Sequence, residues 1–297
     1  MMTWETLRRA KAREGISGYL LAGPTMVGYL LFCLCPAAAA VILSLFEWNL
    51  LTPPRFVGLQ NYRSLVTAPG FWNTAGVTLK YVLLNVPPQI ILSFVLASIL
   101  NQKIRGYRVL RGIYLLPWAL MPIAVSMIWK FMLDPNLGYV TYLAERLGIY
   151  GIQWFSPKSA LLTVAALNIW QHSGFTTTFL LIGLESIPTT YIEAASIDGA
   201  SAWALFWRIR LPLMMPVLIF VTITSFIGSF QVFDAVFALT QGGPGTATNV
   251  YYLELYRQAF FFLRMGYASA MAVLLFLVLM AITLVQLQLF RRIDAWR

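Results

Sequence analysis

The residues best placed to do chemistry sit inside two long apolar stretches. Asn168, Gln171, His172 and Phe175 follow i, i+3, i+4, i+7 spacing and so share one face of a helix. Thr222, Ser225 and Ser229, with Gly228 between them, share a face of a second helix. Amides, an imidazole, hydroxyls and a ring suit a polar, hydroxyl-rich solute. Phe175 and nearby Trp170 offer flat apolar surfaces to a sugar ring. The same groups also serve as hydrogen-bonding glue between membrane helices, and both readings stay open. No Lys or Arg falls near these positions. A phosphate or carboxylate would normally be met by such a cation, so the pattern leans toward a neutral solute. Asp234 is the one acid inside a long apolar run, with Gln231 beside it. It is either a functional group or a partner for Lys80 or Lys130.

Enzymatic machinery is missing. No Gly-Lys pair exists, which excludes a Gly-x-x-x-x-Gly-Lys phosphate loop. His172 is the only histidine, and Gly-x-Ser-x-Gly does not occur. Cys33 and Cys35 cannot form a zinc site alone, and their apolar setting activates no thiolate. They are expected to be buried packing residues. No catalytic or metal site is expected.

Between the two apolar stretches lies a polar island, Glu193 to Ala200, followed by Arg210-Leu211-Pro212. Thr190 and Glu193 fit a capping box, and Gly199 suits a left-handed helix stop. These signals predict a helix of about two turns. It is either an ordinary connector or a device that transmits force to a partner.

The elements that must position these groups follow from composition. Of 297 residues, 59% are hydrophobic and only 11% charged, against roughly 25% charged in soluble domains. The bilayer is therefore the expected solvent. Apolar runs predict spans at about 15–46, 78–100, 112–132, 159–184, 213–239 and 265–290. A cytoplasmic tail precedes them (1–14) and another follows (291–297), with the polar loop at 185–212. Asp134-Pro135-Asn136-Leu137-Gly138 is strong turn chemistry, followed by a short surface helix around 139–147. Thr240 to Gly245 forms a rigid turn. One face of this layout collects 13 of the 21 Lys and Arg. By the positive-inside rule that face, which holds the island and both termini, is cytoplasmic. The net charge of +10 thus reflects topology rather than nucleic-acid binding.

Glu193-Ala194-Ala195, Asp198-Gly199-Ala200 and Ile209-Arg210-Leu211-Pro212, at this spacing, resemble the EAA loop of ABC importer permeases. Ser186-Ile187-Pro188 and Leu239-Thr240-Gln241-Gly242-Gly243-Pro244 resemble the carbohydrate-uptake branch, relatives of the maltose, trehalose and glycerol-phosphate permeases. The resemblance covers nearly the whole chain. It implies an all-α polytopic membrane protein of the type I importer fold, with six transmembrane helices and cytoplasmic termini. It implies a heterodimer with a second homologous permease, two ATP-binding subunits and an extracytoplasmic solute-binding protein. ATP and Mg would reside on those ATPase chains, leaving this chain a transport subunit with no cofactor. Glu193, Ala194, Ala195, Asp198, Gly199 and Ala200 would be the coupling helix and its stop, with Ile187 and Tyr191 as flanking contacts. Substrate contacts would lie at mid-depth on the fourth and fifth spans. The expected setting is a bacterial or archaeal cytoplasmic membrane, and the expected cargo a sugar or oligosaccharide. Glycerol phosphate or another polar solute is the nearer alternative. A secondary transporter or channel is the distant one, and the inverted repeats it would favour are not evident.

Overall fold

The computed structural model describes residues 21–102 and 105–294. The basic tail 1–14, the start of the first expected span, Lys103 and residues 295–297 lie outside the described residues. The chain divides into two compact units, Met1–Leu65 with Gln258–Leu275, and Val66–Arg257 with Phe276–Arg297.

In the first unit, helix α1 (Leu21–Leu43) is apolar on all sides and buries none of its residues in the most apolar window. Cys33 and Cys35 are consequently free and exposed, not packed in a core. Pro36 lacks an N–H, and the preceding turn, Leu30–Leu34, widens into a π-helix. Strands β1 (Phe46–Glu47) and β2 (Arg55–Phe56) pair antiparallel, with Phe46 opposite Phe56. This small ladder departs from the expected all-α class. Helix α2 (Gln60–Thr67) is tied to it: the Asn61 amide donates to the carbonyls of Ser44 (2.8 Å) and Phe46 (2.9 Å). Gly266, in the first turn of α13 (Met265–Asp294), lies against the Phe46 carbonyl so closely that a Cβ would overlap it.

The second unit is a helix bundle. Helix α3 (Pro69–Asn101) runs 33 residues. Helices α4 (Tyr107–Ala119) and α5 (Pro122–Met132) follow, then the short α6 (Tyr139–Arg146), where a surface helix was expected. Helix α7 (Ala160–Glu185) is followed by α8 (Thr189–Ile197) and α9 (Ala202–Leu205). Then come α10 (Met215–Phe230), α11 (Asp234–Leu239) and α12 (Tyr251–Tyr256). Helices α3 and α7 form the central pair, buried on α7 at residues such as Ala165, Thr177 and Leu181.

Four described segments are long and apolar enough to cross a membrane: Leu21–Leu43, Pro69–Asn101, Met215–Leu239 and Met265–Phe290. Where one span was expected over 112–132, the structure has Val109–Ala119 and Pro122–Met132 meeting at 97°. Two prolines explain the break. Pro117 and Pro122 each lack a helix donor, and Met121, the residue before Pro122, is held extended at ψ 121°. Helix α7 has the length to span, 26 residues, but its polar residues keep it from qualifying by composition. It tolerates them because neighbouring helices, rather than lipid, cover its polar faces.

Candidate functional site

The polar faces of α3, α7 and α10 meet around a cavity of about 160 Å³. Asn168, His172, Phe175 and Thr176 line it from α7, Thr224, Ser225, Gly228 and Ser229 from α10, Asn85 and Gln89 from α3, and Trp118 from α4. Of the eight expected pathway residues, six are present. Gln171 and Thr222 are not. At 100° per residue both lie roughly 90° round their helices from the centre of the lining face. Gln171 is buried, and its Nε2 donates to the Leu120 carbonyl at the α4–α5 break (3.4 Å). It fills an acceptor that the broken helix cannot satisfy itself. Trp170 also turns away, meeting Trp129 of α5 edge-on at 5.3 Å.

The sequence reading missed Asn85, Gln89, Trp118, Thr176 and Thr224. Asn85 and Gln89 are four residues apart, on either side of Pro87-Pro88, so they share a face of α3. Two amides at that spacing in an apolar run are a signal of the same kind as the α7 stripe. Asn85 Nδ2 donates to Ser229 Oγ (2.8 Å) and to Gln89 Oε1 (3.2 Å). Gln89 Nε2 donates to Thr176 Oγ1 (2.9 Å). One relay thus joins α10, α3 and α7. Asn85 is 1% exposed, yet its Oδ1 has no partner.

His172 Nδ1 lies 3.1 Å from the Asn168 carbonyl. A carbonyl only accepts, so the neutral ring carries its proton on Nδ1 and leaves Nε2 as an acceptor. Phe175 stacks on Trp118 at 4.9 Å with the planes 24° apart. No lining residue is charged. The cavity therefore combines an imidazole acceptor, hydroxyls and an aromatic platform, with the unpartnered Asn85 Oδ1 sealed from solvent in its wall, a set suited to a neutral hydroxyl-bearing solute. Its volume is below the roughly 300–1,000 Å³ of complete ligand pockets.

Asp234 lies in the first turn of α11, where a helix N-terminus favours a carboxylate. Lys130 Nζ reaches the Ala238 carbonyl instead (3.4 Å).

The polar island forms α8 with an exposed outer face. Tyr191 is 56% and Ile197 86% exposed, and Glu193, Ala194, Asp198 and Gly199 are also exposed; Ala195 and Ala200 are half-buried. The expected capping box is not formed. The helix begins two residues earlier, with Pro188 rather than Thr190 at the N-cap and no side-chain cap, so Thr190 is already inside the first turn. The stop is as expected. Gly199 has φ +76°, Ala200 N–H donates to the Ala195 carbonyl (2.9 Å) and Gly199 N–H to that of Ser196 (3.1 Å), a Schellman ending. Ile187 corrects a second expectation. It is buried with Leu184, Leu180 and Met214, and half-buried Ile192 packs on the same cluster. Ile187 anchors α8 to the bundle and leaves little surface for a partner.

Two further features are well braced. In the first unit, Glu47, Trp48, Arg55, Gln60, Asn61, Arg264 and Tyr267 are among the residues lining a cleft of about 640 Å³. In the second, the 240–249 turn is locked by Thr248, whose hydroxyl donates to the Gly243 carbonyl (2.8 Å), and by Arg257 on Asn249 (3.3 Å). Helix α12 is held to α3 by the bond from Tyr251 N–H to Thr78 Oγ1 (2.8 Å).

Comparison with known proteins places this geometry in context. Residues 89–295 match the family model described as binding-protein-dependent transport system inner membrane component. The chain is 35% identical over 296 residues to the trehalose/maltose transport system permease protein MalF of Thermococcus litoralis, covering 96% of this chain and 97% of that one. It is 34% identical over 278 residues to the sulfoquinovosyl glycerol transport system permease protein SmoG of Agrobacterium fabrum, covering 93% and 90%. Its fold resembles a chain of a bacterial alginate ABC transporter crystallised with an alginate pentasaccharide-bound periplasmic protein. The TM-score is 0.82 at 21% identity, covering 96% of this chain and 97% of that one.

Proposed function

The chain belongs to the family of binding-protein-dependent transport system inner membrane components, and from that premise we propose that it is one of two permease subunits of an ATP-driven importer carrying a sugar or oligosaccharide across the cytoplasmic membrane. The bent α4–α5 pair serves as the third span and α7 as the fourth, giving six spans with both termini in the cytoplasm. A second, homologous permease completes the path, consistent with a cavity too small to be a whole site. The single observation that carries the solute class is the buried, unpartnered Asn85 Oδ1 in a cavity without charged lining. A sugar hydroxyl would donate to it and to His172 Nε2, with Phe175 and Trp118 meeting the ring. The relative named for trehalose/maltose supports the same class. A glycerol phosphate would bring an anion to a site with no cation to receive it.

Transport proceeds by alternating access. The loaded solute-binding protein docks on outer segments near 47–77, 134–157 and 241–264, where the cleft and the locked turn supply shaped surfaces. Closure of two ATPase subunits, which hold ATP and Mg, pushes α8 as a rigid body. Support for that role is the combination of an exposed face with burial of Ile187 beneath it. The test is uptake by the whole importer in proteoliposomes. Glu193→Lys should leave the chain in the membrane while uptake falls at least tenfold. Unchanged uptake with unchanged ATPase co-purification would remove the coupling assignment.

A further inference from the structure

Arg210-Leu211-Pro212 belongs to the polar loop, yet neither the cavity nor α8 uses it. Pro212 cannot donate a helix bond, and the turn before it, Phe206–Arg210, is a π-helix closed by Leu211 N–H on the Phe206 carbonyl. The same pattern precedes Pro36 in α1. Here the widened turn carries a ring cluster. Phe206 meets Phe94 of α3 edge-on at 5.4 Å, which fixes the turn to the bundle. Trp203 and Trp207 surround Phe206 at 6.3 and 5.2 Å and meet each other at 5.5 Å. Both indoles remain open, at 72% and 49% exposure. Arg208 is exposed and Arg210 half-buried. From Gly199 to Leu213 the chain has no acid to pair with them. The turn lies at the α8 end of the bundle, because Met214 is buried in the cluster that holds Ile187.

We propose that Trp203, Trp207, Arg208 and Arg210 form an interfacial patch that binds the headgroups of anionic phospholipids in the cytoplasmic leaflet, next to the coupling helix. The leaflet rests on the orientation proposed above; the binding does not. Indoles settle at the headgroup level of a bilayer. Arg208 and Arg210, two apart on the turn, lie on opposite sides of it, and each guanidinium, with no acidic neighbour in sequence, offers its own planar fork to a lipid phosphate. Each cation near an anionic membrane surface strengthens binding roughly fivefold. A zwitterionic lipid offers its phosphate with a compensating cation and gains less.

Native mass spectrometry of the full chain in neutral detergent tests this with equimolar phosphatidylglycerol and phosphatidylcholine. The wild type should retain phosphatidylglycerol with at least a fivefold preference. R208Q/R210Q should abolish the preference, R208K/R210K should keep part of it, and R146Q, on α6, should leave it unchanged. W203A/W207A should weaken retention of both lipids. The proposal fails if the wild type shows no preference or if R208Q/R210Q leaves it intact. Displacement of the lipid by an equal concentration of inorganic phosphate would mark a free-phosphate site and overturn it. So would loss of the ATPase subunit from purified R208Q/R210Q complex with lipid retention unmoved, which would assign the face to that subunit. None of these readouts depends on transport, so failure here is separable from failure of the importer reading.

Discussion

Replacing Asn85 separates two roles that the cavity assigns to one side chain. Its amide nitrogen ties α3 to Ser229 on α10, and its amide oxygen, buried without a partner, is the group proposed to meet the solute. Asn85→Ala removes both. Ser229→Ala breaks the same interhelical bond but leaves the oxygen in place. Interhelical hydrogen bonds in membranes average about 0.6 kcal/mol, so each variant should lose about 1 kcal/mol of stability or less. A buried hydrogen bond to a solute hydroxyl contributes about 1–1.5 kcal/mol, or roughly five- to tenfold in affinity. In reconstituted uptake, Asn85→Ala should therefore raise the KM about five- to tenfold more than Ser229→Ala does, with both chains melting within a few degrees of wild type. Equal KM values for the two variants would show that Asn85 only joins helices, and the solute reading of the cavity would be lost with it.

Two other perturbations test the frame around the site. Gly174 lies against α4, where a Cβ would collide with the Tyr114 carbonyl and come within 3.0 Å of Leu115 Cα. Gly174→Ala gains up to about 1 kcal/mol of helix propensity but overpacks a backbone contact at about 1–3 kcal/mol; a lower melting temperature is expected, and a higher one would refute the contact. Asp134 accepts from the N–H groups of Asn136 (2.9 Å) and Leu137 (3.0 Å), and these bonds, Leu137's first, hold its carboxyl below its usual value. A depressed carboxyl stabilises fully above its unfolded value of about 3.9 and loses that contribution as pH falls through the folded value. The melting-temperature gap between wild type and Asp134→Ala should thus shrink below about pH 4, and a gap constant down to pH 3 would contradict the turn's role.

Much of this arrangement is legible in residue spacing, and the exceptions have physical causes. The α7 stripe reads correctly at Asn168, His172 and Phe175 because they share one narrow face. Gln171 misleads because i+3 spacing still leaves a side chain at the edge of that face, where a broken neighbour competed for its amide. The break itself is written in Pro117 and Pro122, but prolines in membrane helices signal a kink without giving its angle. At α8 the glycine stop is decisive, because positive φ demands a residue without Cβ. The Thr190–Glu193 capping box fails because Pro188, with its fixed φ, takes the N-cap two residues sooner. Asn85 and Gln89 are masked by the adjacent Pro87 and Pro88, which signal a bend rather than a face.

Gly266 carries a consequence for biosynthesis. The unit that holds the β1–β2 ladder joins residues up to Leu65 with Gln258–Leu275, and the Phe46 carbonyl lies against the first turn of α13 at Gly266. About 190 residues separate the two parts. At ribosomal speed that interval is roughly 10–40 s. The ladder and α2 are made early but have no α13 to rest on until the last span emerges. Throughout that time the hairpin must persist half-assembled, so a chain cut short before α13 loses not only that helix but the completion of its earliest fold.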